Sequence, residues 1–298
     1  MGGRGWQRFL IANGMNFAIG CAIWAYKGWI GDFFPVGSRS SEFLRLYSRR
    51  FTAVEGNTTF YVVPDKETVN RWRSQTPPEF KFCLKLPKDV THSGLLQPTI
   101  GGALRFLDQM QGLESRLGPL FAQLPPSYSP AQLTDLIAFL TAWTATQTPL
   151  ALEVRHPDWF QEPHASQLRA ILTDLGIGRV LLDSRPIYEG TEDPQLHSER
   201  RKPKLPLQPS VTAPFSLIRF ISHPNWEANQ AFWLEWVPIV DQWLREGTQV
   251  YFFVHCPAEE QSPNNARQFQ RLLEEHEVPV PALPWNQIKP PPTQLSLF

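Results

Sequence analysis

Six charged residues interrupt otherwise apolar runs of this 298-residue chain: Glu55, Glu153 and Asp183 against Lys85, Arg155 and Arg219. An isolated charge taken out of water costs several kcal/mol at least, so groups like these must pair with each other or with a ligand. A lysine so placed can act as general acid/base, Schiff-base nucleophile or anion clamp, because its pKa falls when it is desolvated or set beside other cations. Glu153, two residues before Arg155, is the best single candidate for a general base, with a salt bridge to Lys85 or Arg155 as its alternative role. Arg155 and Arg219 suit bidentate binding of a carboxylate or phosphate, and Asp183 suits orienting a partner or holding a sugar hydroxyl. The chemistry expected is acid–base catalysis by Lys85, Glu153 and Asp183 on a small polar substrate, anionic or sugar-like. The competing expectation is a closed ion-pair network that merely fills the interior.

The elements that must position these groups are legible as a period. Short apolar runs at 17–22, 52–55, 80–86, 119–124, 150–155, 179–183, 216–221 and 249–255 alternate with stretches of helical spacing, among them 101–116, 130–145, 163–175, 228–246 and 263–276. Ser129-Pro130 and Ser262-Pro263 each read as a capping Ser before a Pro at the first helical position. Eight such βα units over residues 16–282 have the count and size of a (β/α)8 TIM-type barrel. A doubly wound open sheet is the runner-up, weakened because no Gly-rich phosphate fingerprint follows the first strand.

Strand side chains alternate between two faces. Phe82, Leu84 and Leu86 then face helices and Lys85 faces inward; Leu150, Leu152 and Val154 face helices and Glu153 and Arg155 face inward. The same rule points Glu55, Asn57, Gln123, Asp183, Arg219 and His255 inward, at or near the carboxyl ends of their strands, where barrel enzymes keep their functional groups. Trp24, Tyr26, Trp29, Phe60, Tyr61 and Trp159 follow strands at that end and offer an aromatic rim, or pack beneath the loops.

Composition narrows the class. Lys+Arg and Asp+Glu are both 28, a balance that argues against a nucleic-acid partner. Hydrophobic residues at 42% exclude a disordered chain. The three cysteines, Cys21, Cys83 and Cys256, are too few and too dispersed for a disulfide framework and suit a reducing, cytoplasmic setting. No run of about 18 apolar residues is present, so no membrane span is expected. Residues 1–15 read as an N-terminal extension, since Asn13, Gly14 and Asn16 break any secretory core. The connection over 184–215 is rich in Pro and charge and shows no helical period, so the sixth helix is expected to be degenerate; its run Arg200-Arg201-Lys202-Pro203-Lys204 reads as a solvated face. Residues 283–298 read as a tail. His92, His156, His223 and His255 with Glu153, Asp183, Cys21 and Cys256 are the raw material for a divalent metal, but no HxH, CxxC or HExxH occurs and three cations compete, so no cofactor is predicted.

The motifs resemble one family. Val54-Glu55-Gly56-Asn57-Thr58-Thr59-Phe60-Tyr61 is similar to its VExNxTFY element, and Leu152-Glu153-Val154-Arg155-His156-Pro157-Asp158-Trp159-Phe160 to its VEvRHxSWF element. Ile19-Gly20-Cys21 through Tyr26, Trp29, Phe33 and Pro35 matches as well. So do Phe80-Lys81-Phe82 with Lys85 and Thr91-His92, Gly118-Pro119-Leu120 with Gln123, Asp183, and Asn264-Asn265-Ala266. This is the YecE-like family, domain of unknown function 72. The resemblance covers roughly 16–275 and implies a TIM-type barrel, with Glu55, Asn57, Lys85, His92, Gln123, Glu153, Arg155, His156 and Asp183 at characteristic positions; it implies no reaction. Two departures stand out. Arg219-Phe220-Ile221-Ser222 replaces the family's R-x-H-G, and His255-Cys256 replaces its Asn-Asn or Asn-Asp pair. The expected ligand-contacting set is Glu55, Asn57, Tyr61, His92, Gln123, Arg155, His156, Arg219, His255, Trp24 and Tyr26. A metal-dependent enzyme of the sugar-isomerase or nucleotide-cleaving kind, a non-catalytic metabolite-binding barrel, and partner binding through 184–215 are the alternatives to a metal-free enzyme.

Overall fold

The eight apolar runs become eight strands: β1 Phe17–Cys21, β2 Ala53–Gly56, β3 Lys81–Leu84, β4 Leu120–Gln123, β5 Leu150–Glu153, β6 Gly178–Asp183, β7 Phe215–Ile221 and β8 Gln249–His255. Between and after them run α1 Phe43–Tyr47, α2 Lys66–Gln75, α3 Lys88–Thr91, α4 Ile100–Met110, α5 Leu133–Thr144, α6 His164–Leu175, α7 Gln230–Arg245 and α8 Ser262–Glu275. The structure is a computed structural model that describes residues 16–189, 193–195 and 201–287, so the expected extension over 1–15 and the Pro290-Pro291-Pro292 stretch lie outside the described residues.

All ladders are parallel. Six strands join in the order β1-β8-β7-β6-β5-β4, and β2 pairs with β3 separately. The expected closed eight-stranded ladder is therefore met only in part: the fold is mixed α/β with a mostly parallel sheet. β3 and β4 touch at the isolated bridges Phe82↔Leu117 and Lys85↔Phe121.

β1 and β2 are stitched by side chains. The Tyr47 hydroxyl accepts from the Cys21 N–H at 2.6 Å and donates to the Ala53 carbonyl at 3.1 Å, and Thr52 Oγ1 accepts from the Ile19 N–H at 3.0 Å. Gly20 is required here, because a Cβ on it would lie 1.8 Å from the Ala53 oxygen. Tyr47→Phe leaves the buried Cys21 N–H without an acceptor and is expected to cost about 1–3 kcal/mol in urea denaturation; an unchanged midpoint would show that this seam carries no weight.

Parity sorts the side chains as expected, with one exception. Phe82, Leu84, Leu150, Leu152, Val154, Ile218, Phe220, Phe252 and Val254 belong to the core between sheet and helices. Ala18, Ala53, Cys83, Phe121, Ala151, Val180, Leu217, Tyr251 and Phe253 form a second, inner core. In β6 it is Val180 that joins the inner core and Leu181 the helix side. Asp183, two residues after Leu181, therefore faces the helices, against expectation. Its carboxylate accepts from Trp236 Nε1 of α7 at 2.9 Å and from Arg185 at 2.9 and 3.0 Å.

Two smaller expectations are also corrected. Ser129 caps as predicted, accepting from the Ala131 N–H and pairing with Gln132. Ser262 does not: α8 begins at Ser262 itself after a 3-10 turn over Glu259–Gln261. Residues 283–287 are not all tail, because Trp285 packs edge-on against Phe33 and Phe51. Between β6 and β7 the described residues hold only the 3-10 turn Arg185–Ile187, in keeping with a degenerate sixth helix. Among the described residues no helix is long and apolar enough to cross a membrane.

Candidate functional site

The inner core gives way to charge at the carboxyl ends of the strands. Arg219 of β7 sits at the centre: Nε and one terminal nitrogen donate to the two oxygens of Glu55, both at 2.8 Å, and the other donates to Glu153 at 2.5 Å. Glu55 ends up saturated, since Asn57 Nδ2 donates to it at 2.6 Å and His255 Nε2 lies 2.9 Å from its second oxygen. Glu153 is likewise shared, its other oxygen accepting from Arg155 Nε at 2.7 Å. Arg155 completes its fork on Gln123 Oε1 at 2.7 Å. β2, β4, β5, β7 and β8 thus each supply one member by the alternation rule, with Asn57 and Arg155 just beyond the strand ends.

The field that these groups create is one-sided. Burial opposes ionisation of Glu55, but Arg219 and then His255 outweigh it and hold the carboxyl well below the usual range. Glu153 is desolvated too, yet Arg219 and Arg155 bring it down to about 2. Burial pushes His255 down to about 4 despite Glu55, so its neutral ring donates through Nε2. The carboxylates are ionised and spoken for.

Lys85 is the exception. It is 7% exposed, and its ammonium makes no hydrogen bond or ion pair with the described residues; it lies 3.6 Å from the centre of the Phe60 ring. Burial, then Arg219 and Arg155, lower its pKa to about 7 against the pull of Glu153 and Glu55. The position is built by the turn after β2, where the Thr59 hydroxyl lies 2.7 Å from the Lys85 carbonyl and 3.0 Å from that of Gly56, fixing Phe60 beneath the amine. His92 packs edge-on to Phe60 at 4.9 Å; burial, Lys85 and Arg155 push it down to about 4.

Of the predicted residues, Glu55, Asn57, Lys85, His92, Gln123, Glu153, Arg155, Arg219 and His255 are brought together. Tyr61 stands beside Phe60, 59% exposed at the rim. Four are not brought in. Asp183 faces α7. Trp24 packs on Trp72 and Phe82, and Tyr26 bonds Glu260 and packs on Trp29, so both are engaged outside the cluster. His156 accepts from the Asp158 N–H at 3.2 Å and caps its own turn. The histidines are dispersed, and among the described residues no three His, Cys, Asp or Glu side chains converge as metal ligands.

Two groups were missed from sequence. Lys202, expected to face water, is lowered to about 8 by burial and by Arg219 and Arg155 of the cluster, against Glu55 and Glu153. Glu259 is raised by burial to about 7, against the opposing pull of a hydrogen bond with Ser262. The only signal was position, since both lie in connections at the carboxyl end of the strands.

Comparison with known proteins shows the family and the fold. The family model "Protein of unknown function DUF72" matches residues 18–288. The UPF0759 protein YecE of Escherichia coli K12 is 35% identical over 248 residues, covering 82% of this chain and 88% of that protein. The UPF0759 protein YunF of Bacillus subtilis 168 is 25% identical over 176 residues, covering 55% and 61%. Crystal structures of DUF72 family proteins superpose as well. That of EF0366 from Enterococcus faecalis V583 has a TM-score of 0.66 at 17% identity, covering 87% of this chain and 95% of that one. That of TM1631 from Thermotoga maritima MSB8 has a TM-score of 0.61 at 22% identity, covering 87% and 99%.

Proposed function

The chain belongs to the DUF72 family of proteins of unknown function, and from that premise we propose that its charged cluster is an active site for acid–base chemistry on a small anionic substrate. We read the sheets of six and two as one TIM-type barrel with two loosely paired seams, whose carboxyl end holds the functional groups. A cytoplasmic setting suits three buried cysteines, none in a disulfide.

The observation that carries the reading is the unpaired amine of Lys85. A network that only filled space would leave no cation without a carboxylate, because an unpaired buried charge is the costly case. Lys85 is that case. An amine with a pKa near 7 exchanges a proton readily at neutral pH, which is the property wanted of a general acid/base. Glu153 makes a poor base, because its pKa of about 2 leaves it weakly basic and both its oxygens accept from guanidinium groups. Its role in this reading is to hold Arg155 and Arg219 in place, and Asp183 has no part in the chemistry. His92, neutral and beside Phe60, is the second group able to carry a proton.

Trace acetylation of the full chain with acetic anhydride across pH tests the assignment, each lysine being followed by mass spectrometry. Lys85 is expected to reach half-maximal reactivity near pH 7, as its lowered pKa requires, with the exposed Lys27 and Lys66 followed in the same samples as references. A Lys85 profile that tracks the surface lysines overturns the reading. In a metabolite mixture followed by mass spectrometry, the wild type is expected to deplete an anionic compound that Lys85→Met leaves intact.

A further inference from the structure

Two lysines of the third βα unit invite comparison. Lys81 and Lys85 are buried alike, at 9% and 7% exposure. Lys81 Nζ donates to the Ser115 carbonyl at 2.5 Å, as a buried donor is expected to do. Lys85 Nζ has no such acceptor among the described residues, and the buried carboxylates of Glu55 and Glu153 are taken by Arg219, Arg155, Asn57 and His255. What the amine does have is the face of Phe60, 3.6 Å from the ring centre. That ring also links it to the surface. Phe60 packs at close to right angles on half-buried His92, at 4.9 Å, and on exposed Tyr61, at 5.1 Å.

We infer that Lys85 Nζ is a nucleophile that forms an imine with a carbonyl carbon, and that the substrate at this site is a small aldehyde or ketone. The inference rests on the reading that this amine gives up its proton at neutral pH, and it adds a covalent step and the class of substrate. The free amine adds its lone pair to the carbonyl carbon, and the C=O π pair moves to oxygen. That oxygen leaves as water once protonated, while the nitrogen lone pair closes the C=N bond. Counted from the ammonium, two of its three protons depart with the carbonyl oxygen and the third stays on a cationic iminium. Charge, atoms and electrons balance without a further reactant.

The surroundings suit the iminium better than the ammonium. An ammonium is a compact, strongly hydrated charge with three N–H donors, and a buried donor without an acceptor is costly. The iminium has one N–H and spreads its charge over carbon and nitrogen. It keeps the positive charge that the Phe60 face attracts. Conversion therefore relieves two unsatisfied donors and retains the contact with the ring. Lys81, whose ammonium already has a carbonyl acceptor, gains no such relief. Desolvation beside cations, here Arg219 and Arg155, is also the setting that activates a lysine as a nucleophile.

The test is reductive trapping on the full chain at pH 7, with glyoxylate as the carbonyl probe and each lysine mapped by mass spectrometry. Cyanoborohydride is kept limiting, so that imines equilibrate before they are reduced and the trapping rate reads the iminium population. A lowered pKa alone gives no advantage here, because ammonium and iminium carry the same charge. Lys85 is expected to be trapped about tenfold faster or more than exposed Lys27 and Lys66, the scale of relieving one unsatisfied buried donor. Lys81 is expected to be no faster than those two. No trapping at Lys85, trapping at the surface rate, or equal trapping at Lys81 each overturns the inference. The two claims fail separately. A Lys85 that acetylates half-maximally near pH 7 but is trapped no faster than the surface lysines keeps the acid–base role and sinks the imine. Fast trapping at a Lys85 that acetylates like a surface lysine keeps the imine and sinks the acid–base role.

Discussion

Arg219→Met is expected to destabilise the protein by about 3–5 kcal/mol, the cost of breaking a buried pair from one side. Arg219 is 3% exposed and neutralises two carboxylates that are themselves at 0% and 1%, so methionine leaves Glu55 facing only Asn57 and His255, and Glu153 facing only Arg155. Urea denaturation reads the loss, and its pH dependence identifies the cause. In the wild type, Glu153 titrates at about 2, below its unfolded value of about 4.3. The folded state therefore holds a stabilising ionised carboxylate that is fully present above the unfolded value and lost as pH falls through the folded one. The gap between wild type and variant should be widest above about pH 5 and close as the pH falls toward 2. A loss under about 1 kcal/mol, or one that does not vary with pH, would mean that Arg219 is not the hub.

Lys85→Met is expected to act in the opposite direction, raising stability while removing function. With a folded pKa of about 7 against about 10.4 unfolded, the unfolded chain binds a proton between those values that the folded chain releases. Wild-type stability therefore rises with pH across that window, and a charge penalty is present in full below it. Methionine removes the penalty. The variant should be more stable by about 4–5 kcal/mol at pH 7 and below, with the difference vanishing above about pH 10. A destabilised variant, or a difference that does not change between pH 7 and 10, would mean that Lys85 has a partner and that the network is a closed filler. Stability surrendered at one residue, and recovered when that residue is removed, is the signature of a functional site rather than a structural plug.

Much of this site was legible before folding. A strand has a period of two, so a polar residue in register with the inward-facing side chains of an apolar run must share their face; Glu55, Lys85, Gln123, Glu153, Arg219 and His255 all obey it. Asp183 broke the rule because β6 carries Val180 and Leu182 on one face and Leu181 on the other, leaving no apolar contrast to set the register. Trp24 and Tyr26 lie in connections, which have no period, and where they pack followed from neighbours distant in sequence, Phe82 and Glu260.

By itself the chain order determined the eight alternating units, the face on which most charges fall and the family, because each depends on local period or local motif. Three things were decided only by tertiary structure. Pairing between β1 and β2 is carried by the Tyr47 and Thr52 side chains together with a backbone bond from the Thr52 N–H to the Ile19 carbonyl, at a place where Gly20 lets two backbones come too close for any larger residue. Which charges are satisfied depends on distances among five strands, and that is why Glu153 is a bound anion while Lys85 is a free amine. The course of the 184–215 connection follows from Leu205 packing on Leu182 and Ile221, an apolar contact between segments with no sequence relation.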